Sequence, residues 1–247
     1  MASTEAFEDE AAYVLHRRAY GDTSALVELL TATNGRVGLV ARGVQRRRSN
    51  QAALLQPFQP LRISWRSRGD LGTLTATEPA SAAIALTGRR MVAGFYANEL
   101  MLRLLPRRQC QSLTFSRYAA LLEQLKSGGA IGPSLRVFER DLLTDLGYGL
   151  MLKTDTDGNP VEASTWYRYE LERGPVADPP GAGLRLPGQA LLALASGEPD
   201  TADDPPLKRL MRSALSLYLG EKPLKSRELY ARYRDSRPVD GEDATNE

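Results

Sequence analysis

Ala25–Ala41, ALVELLTATNGRVGLVA, reads as two short strands around a turn, and the rest of the first third can be laid out from it. Asn34-Gly35 is the turn signal. Both residue types accept positive φ, so the pair predicts a two-residue hairpin loop. Arg36–Ala41 then alternates apolar and polar. Ala25–Thr31 is apolar enough for a strand, although Leu26–Leu30 also passes for a helical turn. Upstream, Tyr13-Val14-Leu15 is a short apolar strand and Tyr20-Gly21-Asp22 a turn. Downstream, Arg42–Asn50 is a polar, arginine-rich loop. Pro57 and Pro60 bracket the entry to Leu61–Trp65, and Gly69-Asp70 turns the chain into Leu71–Thr77. About five short strands joined by tight turns fit a small antiparallel barrel such as an OB-fold, because closure removes exposed sheet edges.

After Pro79 the hydrophobic period changes. Ser81–Leu105 carries Ala93, Tyr96, Ala97, Leu100 and Leu104 at helical spacing, and Pro106 ends it. Further helices are predicted at Thr114–Lys126, Ser134–Leu146, Pro187–Ser196, Leu207–Leu219 and Ser226–Arg234. Gly149–Gly174 is mixed, with a short strand at Trp166–Glu170. The fold class is α+β: an N-terminal OB-fold barrel over 1–80, a mainly α-helical domain with a small β-hairpin over 81–236, and a disordered tail over 237–247.

The chain has 247 residues and a single cysteine, Cys110, which excludes a disulfide framework and a cysteine-rich zinc site. No apolar run reaches the ~18 residues of a membrane span, and Met1–Glu10 is acidic without a signal-peptide core. A cytoplasmic protein is expected. Catalysis finds little support. The one histidine, His16, stands beside Arg17 and Arg18 without a cysteine or metal partner. Asp155–Asn159 resembles the start of a calcium loop, but Ser164 stands where a bidentate glutamate is required, so a hairpin turn is the better reading. No enzyme activity, cofactor or metal is expected.

Charge carries more information. Net charge is +2, yet between Ala11 and Ala80 ten arginines face four acids, with acidic segments at both ends of the chain. Arg42, Arg46, Arg47 and Arg48 share one loop. Arg62, Arg66 and Arg68 lie on or just after one strand, and the even spacing of Arg62 and Arg66 puts them on one face. Guanidinium groups pair bidentately with phosphate, and a basic barrel wall with aromatics is how OB-folds hold single strands. Trp65, on the other face from Arg62, is a core residue or a base-stacking platform, the core role being favoured. Lys222, Lys225 and Arg227 form a second basic cluster, which either extends that track or solubilises a loop. On Ser134–Leu146, Leu135 belongs to an apolar stripe, and Arg136 and Arg140 stand four apart on another face. That pair either grips an acidic, carboxylate-ended peptide or forms surface ion pairs.

These segments resemble the RecO family of recombination mediators: Tyr13–Ser24 (YVLHRRAYGDTS), Gly35–Gly43 (GRVGLVARG), Leu55–Leu61 (LQPFQPL), Tyr96–Leu100 (YANEL), Leu135–Glu139 (LRVFE), Leu146–Gly149 (LGYG), Tyr167–Tyr169 (YRY) and Lys222–Leu229 (KPLKSREL). They run in order along nearly the whole chain. The resemblance implies binding to single- and double-stranded DNA, annealing of complementary strands, and loading of RecA onto strands coated by single-stranded-DNA-binding protein (SSB). It also implies two partners, RecR and the acidic C-terminal tail of SSB, with the tail at Leu135, Arg136 and Arg140. Some members hold zinc through four cysteines in the region matching Gly149–Gly174. Here that region has none, so packing around Trp166, Tyr167 and Tyr169 is expected to hold the hairpin. An RNA-binding OB module and a DNA-processing nuclease are the alternatives.

Overall fold

The computed structural model describes residues 4–45, 51–177, 183–202 and 204–229. The first third forms a closed barrel in the order β1-β2-β3-β5-β4, built from β1 (Glu5–Tyr20), β2 (Ser24–Thr31), β3 (Gly35–Ala41), β4 (Pro60–Ser67) and β5 (Leu71–Pro79). This is the OB-fold expected, with two features that the reading of short antiparallel strands did not give. The β3–β5 pair that closes it is parallel. And β1 is 16 residues long, pairing with β4 through its first half and β2 through its second. One strand can serve two neighbours at the two ends of a barrel only by bending, and β1 has register irregularities at Phe7/Glu10 and Val14/His16. The acidic N-terminal segment is therefore not a flanking tail but the start of this strand.

Alternation packs Val14, Val27, Leu29, Leu39, Leu61 and Ile63 inside. Trp65 joins them, 2% exposed and stacked on Phe7 at 4.5 Å. That rules out the base-stacking role for Trp65. A four-residue helix, α1 (Gln51–Leu54), leads into Leu55, which is buried in the same core.

The β2–β3 turn differs from the two-residue form. Thr31 pairs with Gly35 across three residues, and of Asn34 and Gly35 only Gly35 has positive φ. The Glu10 carboxylate organises the loop. It accepts hydrogen bonds from the Thr33 amide (2.7 Å) and hydroxyl (2.8 Å), and from the amide (3.0 Å) and side chain (2.5 Å) of Asn34. Burial alone would raise the Glu10 pKa; these bonds outweigh it and hold the carboxyl below its ordinary value. Gly35 also meets the helical body, since a Cβ there would lie 1.8 Å from the Gln109 carbonyl oxygen.

The second half comprises α2 (Gly88–Leu104), α3 (Ser112–Lys126), α4 (Ile131–Asp145), α5 (Gly188–Ser196) and α6 (Asp204–Leu219). With them is a three-stranded sheet of β6 (Trp166–Glu170), β7 (Gly174–Ala177) and β8 (Arg185–Pro187), ordered β7-β6-β8. The first long helix starts at Gly88 rather than Ser81. Ile84 and Leu86 are buried while Ala85 and Thr87 are exposed, a period of two that marks extended chain. α4 and α6 begin three residues earlier than expected, because Pro133, Pro205 and Pro206 sit in first turns, where a missing N–H costs nothing. The C-terminal helix is seen at 225–229, and 230–247 lie outside the described residues. Asp155–Asn159 is a turn: the Asp155 carboxylate accepts from the amides of Asp157 (3.0 Å) and Asn159 (2.8 Å). Tyr167 and Tyr169 are buried as expected, but Trp166 points outward, 52% exposed, with Arg185 5.5 Å from its ring centre. It does not hold the hairpin. No described helix is long and apolar enough to cross a membrane.

Tyr13, Leu15, Leu30 and Phe58, from the outside of the barrel, belong to the same hydrophobic cluster as the helices. At this seam, Asn98 on α2 is buried. Its amide donates to the Leu15 carbonyl (3.1 Å), and its oxygen accepts from the Tyr118 hydroxyl (2.6 Å). Asn98→Ala should cost about 3 kcal/mol by stranding both partners in a buried site. Denaturant unfolding of the full chain checks this; a loss within experimental error contradicts the role given to Asn98.

Candidate nucleic-acid interface

After the irregularity at Val14/His16, the outward positions of β1 are His16, Arg18 and Tyr20. Their partners on β2 are Glu28, Leu26 and Ser24. Leu26 pairs with Val40, Val40 with Thr73, and Thr73 with Arg66. Arg18, Leu26, Val40, Thr73 and Arg66 thus form one register row around all five strands, in which Arg18 and Arg66 are exposed, Val40 and Thr73 half-buried and Leu26 buried. Arg42 follows Ala41, the partner of Ala25, and emerges at the end of the barrel where Tyr20 pairs with Ser24. Arg18, Arg42 and Arg66 are exposed, and no hydrogen bond or ion pair to a described residue ties them down. Tyr20, 48% exposed, presents an aromatic ring beside them.

The other described arginines of the barrel are committed. Arg62 shares the outward face of β4 with Arg66, as expected, but is held by Asp9 through two hydrogen bonds, from Nε (2.7 Å) and Nη2. The same bonds hold the Asp9 carboxyl below its ordinary value. Arg68 donates to the Thr4 hydroxyl at 2.5 Å. Arg17, on the barrel-lining side, donates to the carbonyls of Ala52 (2.8 Å) and Leu55 (3.4 Å). Arg36 donates to the Leu102 carbonyl, and Arg107 pairs with Glu28. Arg62 and Arg68, placed in the candidate site from sequence, are therefore largely structural. Arg46, Arg47 and Arg48 lie outside the described residues. The described chain reaches Gln45, fixed to Thr23 and Ser24 by hydrogen bonds of 2.9 and 2.8 Å. Sequence reasoning passed over Arg18 and Tyr20. Their shared even spacing on β1 was the available signal.

Lys222, Lys225 and Arg227 are exposed on the helical side. Arg227, though exposed, stands near enough to a buried cluster for its charge to favour the ionised Glu139 carboxyl. In that cluster Arg136 is 5% exposed and donates to Glu139 at 2.9 Å, and the Tyr96 hydroxyl donates to the same oxygen at 2.6 Å. Burial raises the Glu139 pKa against the opposing pull of Arg136 and Tyr96. Arg136 Nε and Glu139 Oε2 are buried without a hydrogen-bond partner among the described residues. Arg140 pairs with Asp141 and donates to the carbonyls of Leu194 and Ala195 at the end of α5. Leu135 is half-buried. The expected pair of free guanidiniums beside an apolar groove is thus not formed: helix packing turns Arg136 inward and spends Arg140 on a helix terminus.

Asp9→Ala should release Arg62 to the barrel wall. Oligonucleotide affinity should rise a few-fold, and the log–log salt slope for a single strand should steepen by about 0.7. A fluorescence-anisotropy salt titration reads both, and unchanged values refute Asp9 as the group that masks Arg62.

Comparison with known proteins agrees with the two-part architecture. The family model described as "Recombination protein O N terminal" matches residues 6–83, and "Recombination protein O C terminal" matches 85–228. The chain is 50% identical over 229 residues to the DNA repair protein RecO of Nitrosococcus oceani, covering 91% of this chain and 93% of that one. It is 46% identical over 226 residues to the protein of the same name in Alkalilimnicola ehrlichii, with 90% of each covered. For that of Halorhodospira halophila the identity is 43% over 235 residues, covering 92% and 98%.

Proposed function

The chain belongs to the RecO family of DNA repair proteins, and we propose that it acts as a non-enzymatic recombination mediator. It binds single- and double-stranded DNA, anneals complementary strands and, with RecR, helps load RecA onto SSB-coated DNA. The observation that carries this reading is the row from Arg18 to Arg66, with Arg42 nearby, whose exposed guanidiniums have no partner among the described residues.

The mechanism is electrostatic. Each arginine that meets a phosphate releases condensed counterions, giving affinity without sequence preference. Tyr20 offers a face on which a base can stack, worth about 1–3 kcal/mol and tolerant of sequence. Neutralising one strand lowers its repulsion for a second, so pairing of complementary strands requires neither a nucleotide cofactor nor a reacting side chain. The acidic SSB tail is a proposed partner without a place on α4, where Arg136 is buried against Glu139 and Arg140 is bonded to the end of α5.

Replacing Arg18, Arg42 and Arg66 together by alanine should lower single-strand affinity at least tenfold at about 0.1 M salt and flatten the salt slope by about 2. Annealing of complementary oligonucleotides should slow in step, with thermal stability retained. Wild-type affinity, slope and annealing in this variant would overturn the assignment. Matched DNA and RNA strands in the same titration separate a DNA mediator from an RNA-binding module.

A further inference from the structure

Where the barrel meets the helical body there is a groove of about 760 Å³. Leu15 of β1, Phe95 and Leu102 of α2, and Leu229 give it an apolar floor. His16, Lys222 and Lys225 stand on its rim, all exposed. We propose that this groove is a second nucleic-acid subsite, taking nucleotides of a single strand that runs off the arginine row. The proposal rests on the barrel reading given above and extends it to the helical side.

Three observations support it. The first is continuity. His16 and Arg18 are both outward residues on β1, paired with Glu28 and Leu26, so the rim begins one outward position from the end of the row. A backbone crossing Arg18 reaches His16 without leaving the surface.

The second is that the lysines are held in place by groups other than their own ammoniums. The Glu99 carboxylate accepts from the amides of Lys225 (2.9 Å) and Ser226 (2.8 Å) and from the Ser226 hydroxyl (2.7 Å). Burial raises the Glu99 pKa, but these bonds outweigh that and leave its carboxyl below the ordinary value. Arg103 donates to the carbonyls of Leu219 and Pro223. The two anchors fix the segment from both sides. The ammonium groups of Lys222 and Lys225 have no partner among the described residues. Of the two acids that line the groove, Glu99 is spent on holding the backbone, and Glu228 is exposed beside Leu229.

The third is chemical complementarity. An apolar floor under a cationic rim fits a unit with a flat apolar face and an anionic edge, which describes a nucleotide. A lysine loop serving solubility alone has no need of a trench floored by Phe95 and Leu102. An acidic peptide has related chemistry, but the continuity with the arginine row favours the nucleic acid.

The test uses the full-length chain and labelled homothymidine strands of ~6 to ~30 nucleotides. Lys222→Glu/Lys225→Glu should leave the shortest strands nearly unaffected. It should weaken the longer ones by fivefold or more and flatten their salt slope by at least about 1.4. Photo-crosslinking with iodouracil-substituted strands should label Phe95 or His16 in the wild type and lose that label in the variant. The Arg18/Arg42/Arg66 triple variant should weaken every length, so failure of the barrel reading is seen separately. The groove proposal is overturned if the lysine variant binds all lengths as the wild type does, or if crosslinks stay on the barrel. It is equally overturned if the variant loses an acidic peptide while keeping its strand affinity.

Discussion

The barrel and the helical body are joined through one irregularity in β1. Val14 pairs with Leu29 and His16 with Glu28, so Leu15 is an extra residue and reverses the facing of everything after it. Before it, Ala12 and Val14 point into the barrel; after it, His16, Arg18 and Tyr20 point out. Tyr13 and Leu15 are left on the outside, where they enter the helical core, with Tyr13 edge-on to Tyr118 at 5.2 Å between centroids. A bulge leaves backbone groups off the ladder, and at this buried seam they need a partner. Asn98 supplies it, and Tyr118 completes the side chain's bonding. The same extra residue thus sets the seam, orients Arg18 toward the solvent and brings His16 to the groove.

The electrostatics of the first third follow from the length of β1. Its acidic start lies beside β4, so Asp9 takes up Arg62, and Glu5 takes up Arg108 from the helical side. Glu28 is shared by Arg36 and Arg107. These pairs consume charges that a sequence count treats as available. The outer wall keeps cations where no acid is in register. Arg18, Arg42 and Arg66, which have no partner among the described residues, then remain near one end of the barrel, one outward position from His16 at the seam.

The five strands, their inward faces and the change of period after Pro79 were legible because they rest on alternation and helical spacing, which single residues carry; the strand order, with its parallel β3–β5 pair, was not. Val37, Leu39, Leu61, Ile63 and Trp65 all face inward as their parity predicts. The bulge at Leu15 was not legible, since an inserted residue leaves no mark on composition and simply makes an apolar run one longer. Nor was the masking of Arg62, because Asp9 is 53 residues away and meets it only once β1 pairs with β4. The three-residue turn before Gly35 depends likewise on Glu10, 24 residues upstream of Asn34. On α4 the 3.6-residue period places Arg136 correctly on the helix, but only the packing of Tyr96 and Glu139 against it decides that its charge is buried.

Hydrogen–deuterium exchange of the full-length chain, with and without a saturating single-stranded oligonucleotide, tests the central claim most directly. Bound strand should slow exchange in the Arg18–Leu26 hairpin, in the turn after Ala41 and along Arg66–Thr73. The Glu10-centred turn and the β6–β7 hairpin should be unchanged. Protection confined to α4 and α6, with none on those barrel segments, would contradict the claim that the barrel wall holds the nucleic acid.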